Sequence, residues 1–114
     1  PLINNDKMKK IKTVIAPVTV ELDYTAVRKA ALILRAVNHK LRQQILELLE
    51  ENEKSTVTDL YIRLRIEQSV CSQMLAILRR AEVVITERNG KFIYYRVNTE
   101  RIAQIKQLVE NLTN

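Results

Sequence analysis

Apolar residues recur at helical spacing through most of this chain, and the pattern gives way to strand-like runs in one place only. From Asp23 or Thr25, either of which can cap a helix, a first helix is expected to reach about Asn38. Val27, Ala30, Ala31, Leu34 and Val37 form one stripe on it, and Leu32, Ile33 and Ala36 cover much of the remaining circumference. A helix apolar on two faces in so short a chain needs a second partner besides its own core. Residues 39–52 predict a second helix, with Leu41, Ile45, Leu48 and Leu49 inward and Glu47, Glu50 and Glu51 outward. Thr56 and Asp59 are spaced as a capping box for a short third helix that ends near Leu64 and buries Val57, Leu60 and Leu64. A three-residue turn, Arg65-Ile66-Glu67, leads into a fourth helix running to Arg80. Two helices joined this tightly are the mark of a helix-turn-helix.

The fourth helix divides cleanly. Cys71, Leu75 and Leu78 repeat at helical spacing, flanked by Val70, Met74 and Ile77, while Ser69, Ser72, Gln73, Ala76 and Arg80 form the opposite face. That second face is short, polar and free of negative charge, as a surface entering a DNA major groove must be. Glutamine pairs bidentately with adenine, serine donates to base edges or phosphate, and an arginine reaches the backbone. Val83–Arg88 and Lys91–Val97 are β-rich runs joined by Asn89-Gly90, a strong hairpin signal. Arg88 and Lys91 flank the turn and make its tip cationic, so the hairpin reads as a wing against the phosphate backbone or minor groove. A last helix, starting after Asn98 or Thr99, carries Ile102, Ile105, Leu108, Val109 and Leu112 as one apolar stripe.

The expected fold is mainly α with a small β-hairpin, a winged helix-turn-helix of five helices and a two-stranded wing. Residues 1–23, with Lys7, Lys9, Lys10 and Lys12 among β-branched residues and Pro17, read as an N-terminal arm before a single domain over 24–114. At 114 residues with 46% apolar composition, the chain can bury a core without disulfides or metal. The single glycine and two prolines fit few loops. No apolar run is long enough for a bilayer and no signal-peptide pattern opens the chain, so the expectation is a cytoplasmic protein without membrane contact. Its one cysteine, Cys71, excludes an intrachain disulfide. His39, the only histidine, has no second ligand at metal-binding spacing and is read as structural.

Charge sharpens this picture. Residues 63–101 hold eight Lys/Arg against four Glu, whereas residues 102–114 are neutral overall, within a chain of net charge +6. The excess gathers around the fourth helix and the hairpin, which is the footprint of a polyanion partner. Double-stranded DNA is the expected partner, contacted by Thr56, Gln68, Ser69, Ser72, Gln73, Arg80, Arg88, Asn89 and Lys91. The first and last helices jointly predict a homodimer interface of Val27, Ala31, Leu34, Ile102, Ile105, Leu108, Val109 and Leu112. Two copies supply two recognition helices for a two-fold operator.

Over residues 30–98 the sequence resembles the arsenical-repressor (ArsR/SmtB) family of winged-helix transcription factors. The resemblance is carried by Leu34-Arg35-Ala36-Val37 with Arg42 and Ile45-Leu46, and by Gln68 through Leu75 followed by Leu78-Arg79-Arg80-Ala81. Asn89-Gly90-Lys91 through Tyr94-Tyr95 completes it. It implies a homodimeric repressor whose DNA binding is switched by an effector, which the sequence does not identify. Metal-sensing members carry Cys-Val-Cys where this chain has Thr56-Val57-Thr58, and others carry Asp, His or Glu ligands on the last helix. Here Asn98–Asn114 contains no His or Asp and only Glu100 and Glu110, ten residues apart. No metal site and no cofactor are expected. Members also often place glycine in the turn and after the recognition helix, and histidine on it, where this chain has Arg65, Glu82 and Met74. A non-glycine residue in a left-handed conformation costs about 1–2 kcal/mol. Either the turn geometry differs at these positions or packing compensates. Glu67 is also a weak N-cap.

Two further functional readings stand beside the leading one. Cys71 on the recognition helix could serve as a thiol redox switch, although its spacing puts it on the buried face. The domain could instead be a protein-interaction module without DNA affinity. An enzyme is not expected, because paired acid–base groups, an activated nucleophile and a phosphate-cradling glycine loop are all missing.

Overall fold

The computed structural model describes residues 21–114. The element order is α1 (Tyr24–Val37), α2 (Lys40–Asn52), α3 (Val57–Leu64), α4 (Gln68–Arg80), β1 (Val84–Asn89), β2 (Phe92–Val97) and α5 (Thr99–Thr113). The arm expected over residues 1–23 lies outside the described residues except for its last three, of which Asp23 caps α1. Its carboxylate accepts from the backbone N–H groups of Thr25 and Ala26 at 3.1 and 3.2 Å. His39 has the structural role expected of it, accepting from the Arg42 N–H as the cap of α2. Thr56 Oγ1 accepts from the Asp59 N–H at 3.2 Å and opens α3.

The core is built where α2, α3, α4 and the hairpin meet. Ile45, Leu49, Leu60, Cys71, Leu75, Leu78, Val83 and Val84 are fully enclosed, and Val97 closes the cluster from β2. Around them pack Val57, Leu64, Met74, Tyr95, Ile102 and Ile105. The apolar spacing read along α2, α3 and α4 is therefore the spacing of one shared core. The N-terminal half of α1 and the C-terminal half of α5 lie outside it, with Tyr24 73% and Leu112 70% exposed.

Both positions where members of the family often have glycine take a left-handed backbone in this chain. Arg65 has φ 58° and ψ 46°, and Glu82 has φ 60°. Each follows its helix in the same double-bonded exit. After α3 the Arg65 N–H donates to the Ile62 carbonyl and the Ile66 N–H to that of Tyr61, at 3.2 and 3.1 Å. After α4 the Glu82 N–H donates to Arg79 and the Val83 N–H to Leu78, both at 2.9 Å. This is the Schellman pattern, which satisfies end carbonyls that would otherwise be orphaned and brings an apolar residue back onto the last turn. Val83 and Leu78 are that apolar pair after α4, and both are buried. The left-handed exit is thus made here without glycine, and these hydrogen bonds and contacts offset the strain.

The hairpin corrects one detail of the sequence reading. The register pairs Asn89 with Phe92, Arg88 with Ile93 and Val84 with Val97, so the two-residue loop is Gly90-Lys91 and not Asn89-Gly90. Gly90 has φ +64° while Lys91 does not share the positive φ, which is the pattern of a type II′ turn with glycine first. A third segment joins the sheet by one rung. The Ser55 and Tyr95 backbones exchange hydrogen bonds of 3.0 and 2.8 Å, tying the wing to the residue that precedes the α3 cap.

Candidate nucleic-acid interface

The α4 side chains sort as the helical period demands. Cys71, Leu75 and Leu78 are buried, and Ser69, Gln73 and Arg80 point directly away from them and are exposed, with Ser72 on the flank and Gln68 exposed at the first turn, nearer the buried side. Glu67 precedes the helix without a side-chain cap bond, as its residue type led one to expect. The exposed face carries amide, hydroxyl and guanidinium groups and no carboxylate.

The wing meets this face at one point. Ser72, Ala76, Arg79 and Arg80 line a shallow cleft with Tyr95 of β2. Arg79 was absent from the expected contact set, yet it is exposed and shares this cleft. The signal was present in the sequence, since at 100° per residue Arg79 projects next to Ser72. Tyr95 was hidden because its position depends on the long-range rung to Ser55.

Strand alternation separates the tip residues that the sequence grouped together. Arg88 lies on the hairpin face shared by Thr86 and Tyr95, toward the helices, whereas Asn89 and Phe92 lie on the opposite face. Lys91 occupies the loop, its Nζ 5.4 Å from the centre of the Phe92 ring. On the far face Glu87 takes Arg96 at 3.1 Å and Lys54 at 3.5 Å, and Lys54 also covers the Tyr94 ring. The Arg96 hydrogen bond, then the Lys54 charge, hold the Glu87 carboxyl below its usual range. Glu87 thereby offsets one of the two charges of Arg96 and Lys54, while Arg79, Arg80, Arg88 and Lys91 form no ion pair among the described residues. Thr56 is half-buried, and its oxygen accepts the α3 cap bond, so the hydroxyl hydrogen is what it has left to offer.

The buried side of α4 is supported by a residue the sequence reading had not given a role. Arg42 is 8% exposed. Its Nε donates to the Ala36 carbonyl and its Nη2 to that of Arg35 at 3.1 Å, closing the C-terminal end of α1. Its Nη1 lies 3.5 Å from the Met74 sulfur on α4. A cation at a helix C-terminus opposes the macrodipole and satisfies end carbonyls at once. Arg42 thus links α1 to the rear of α4.

Neither of the family's metal-binding arrangements fits this chain. The Thr56 oxygen is engaged in capping, and Glu100 and Glu110 on α5 are about 15 Å apart along the helix axis. Cys71 has no exposed surface and packs in the core cluster, and burial pushes its thiol above the usual range, which is the setting of a packing residue and does not favour a thiol switch.

Comparisons with known proteins agree with this geometry. The profile described as bacterial regulatory protein, arsR family, matches residues 39–86, from the cap of α2 into β1. The transcriptional activator HlyU of Vibrio cholerae is 36% identical over 84 residues, covering 74% of this chain and 77% of HlyU. The transcriptional repressor SdpR of Bacillus subtilis is 36% identical over 67 residues, covering 59% of this chain and 73% of SdpR. In fold, the chain is similar to a homodimeric winged helix-turn-helix DNA-binding domain from Mycobacterium bovis. That match has a TM-score of 0.67 at 24% identity and covers 83% of this chain and 89% of the other. No helix among the described residues is long and apolar enough to cross a membrane. With its helix-turn-helix, wing and polar α4 face, the chain belongs to the arsR family of bacterial regulatory proteins, the winged helix-turn-helix transcriptional regulators.

Proposed function

We propose that two copies of this chain bind a two-fold DNA site and repress transcription from it in the cytoplasm. The observation that carries this reading is the exposed face of α4, where Ser69, Gln73 and Arg80 stand opposite the buried Cys71, Leu75 and Leu78, with Ser72 on its flank. In this arrangement α4 lies in the major groove, Gln73 and Ser69 meet base edges, and Arg79 and Arg80 meet phosphates at its C-terminal end. Arg88 and Lys91 reach the flanking backbone from the wing, with Asn89 turned to the other side of it. Thr56 and Gln68 add polar contacts at the first turns of α3 and α4.

The dimer closes through the helices the core leaves uncovered. Val27, Ala31, Leu108, Val109 and Leu112 are exposed, and Leu34 is half-buried. A monomer has little use for so much apolar surface on two helices. Ile102 and Ile105, expected in the same interface, pack against the chain's own core, so they anchor α5 and the residues beyond them meet the partner. A relative named as a repressor supports the direction of regulation, and the activator HlyU shows the family also contains the opposite.

The test compares binding to the chain's own upstream DNA with binding to unrelated DNA of equal length. Gln73→Ala should cut the ratio between the two by about 5–150-fold, the 1–3 kcal/mol of one bidentate base contact. Arg80→Ala should weaken both about equally. If Gln73→Ala leaves the ratio unchanged, α4 does not read bases through this face.

A further inference from the structure

A cavity of about 600 Å³ opens between α1 and the end of α4, within the range of small-molecule sites. Its apolar wall is Leu32 and Ile33 from α1 facing Ile77 from α4, and its charged lining is almost entirely cationic. Glu82 is the one carboxylate there and is already met by Arg101 at 3.1 Å. Arg42 spends its guanidinium on backbone carbonyls. Lys29, Arg35 and Arg80 remain, and none of them forms an ion pair among the described residues.

The cavity does not coincide with the surface assigned to the dimer. At about 100° per residue, Leu32 and Ile33 project 100° or more away from Val27, Ala31 and Leu34. The two apolar faces of α1 therefore have separate uses, one toward a second chain and one toward this pocket.

We infer that the cavity binds an amphipathic organic anion, a carboxylate on an apolar body, and that the bound anion weakens DNA binding. The apolar body lies against Leu32, Ile33 and Ile77, and the carboxylate meets Arg80 with Lys29 and Arg35 at the rim. Arg80 is shared, since it both lines the cavity and ends the polar face of α4. An anion that engages it removes a phosphate contact, and DNA opposes the anion to the same degree. This second half rests on α4 being the DNA-reading helix, whereas the binding half does not.

Calorimetry on the full chain without DNA separates the two. Decanoate should saturate at one per chain, with decanol and decyltrimethylammonium at least about tenfold weaker, since only the carboxylate finds opposite charge there. In Lys29→Gln/Arg35→Gln, both exposed sites away from the α4 polar face, decanoate should weaken about tenfold or more. Added decanoate should lower the wild-type affinity for upstream DNA about tenfold and leave the double variant's nearly unchanged. Absence of saturable decanoate binding, equal binding of decanol, or full decanoate affinity in the double variant would each overturn the assignment. Decanoate binding without any effect on DNA affinity would overturn the coupling. Failure of the DNA reading itself would appear as no DNA binding before any ligand is added.

Discussion

Arg42 carries a full charge into the core and meets no carboxylate among the described residues. The carbonyls of Arg35 and Ala36 take its place; without the guanidinium the Ala36 carbonyl would lose its partner and that of Arg35 would keep only the 3.3 Å bond from the Asn38 N–H. Hydrogen bonds to a charged group contribute about 1.5–3 kcal/mol, so Arg42→Ala should lower stability by about 2–3 kcal/mol in urea denaturation. Arg42→Lys should recover less than half of that, because a single ammonium lacks the fork that spans two carbonyls. The opposite expectation holds at Arg65, whose side chain is exposed and whose φ is 58°. Arg65→Gly relieves a left-handed strain of about 1–2 kcal/mol while adding unfolded-state entropy, and should raise stability by roughly 0.5–1 kcal/mol. A fall in melting temperature for Arg65→Gly would mean that the side chain contributes something its exposure hides. Glu82 is the poorer place for that experiment, since its carboxylate is engaged by Arg101.

Elements were legible from the sequence to the degree that local pattern decides them. The boundaries of α1 to α5 follow from caps and stripes such as Asp23, Thr56 and the Cys71-Leu75-Leu78 row, each settled within a few residues of chain. The turn register of the hairpin was missed by one residue, because Asn89-Gly90 and Gly90-Lys91 are both acceptable two-residue loops. The Val84–Val97 pairing in the core selects between them. Arg42 and Tyr95 were illegible for a related reason: each is placed by a partner more than five residues away. The wing also has a titratable brace. The folded Glu87 carboxyl titrates below its unfolded value of about 4.3, so its contribution is present above that pH and lost as pH falls through the folded value. Wild type should therefore melt above Glu87→Gln at pH 7, with the difference shrinking as pH falls below the ordinary carboxylate range. A difference that does not shrink as the solution is acidified would assign the effect to shape and not to charge.

At the scale of the whole molecule, two helices are half inside the core and half outside. Val27 is 48% exposed on α1, and Leu112 is exposed at the end of α5. Val27→Asp combined with Leu112→Asp should yield a folded monomer in sedimentation, because neither position belongs to the buried cluster. Binding through one recognition helix alone should then be far weaker, as half of the contacts to a two-fold site are lost. The charged groups left without ion pairs around α4 and the wing give the account its most direct test. The purified chain should be titrated onto its own upstream DNA at 50 and 200 mM salt, with stoichiometry followed in the same experiment. The account predicts two chains per site and an affinity that falls about 10³-fold or more between the two salts, as expected when six or more phosphates are neutralised. An affinity indifferent to salt, or no binding at 50 mM, would contradict it.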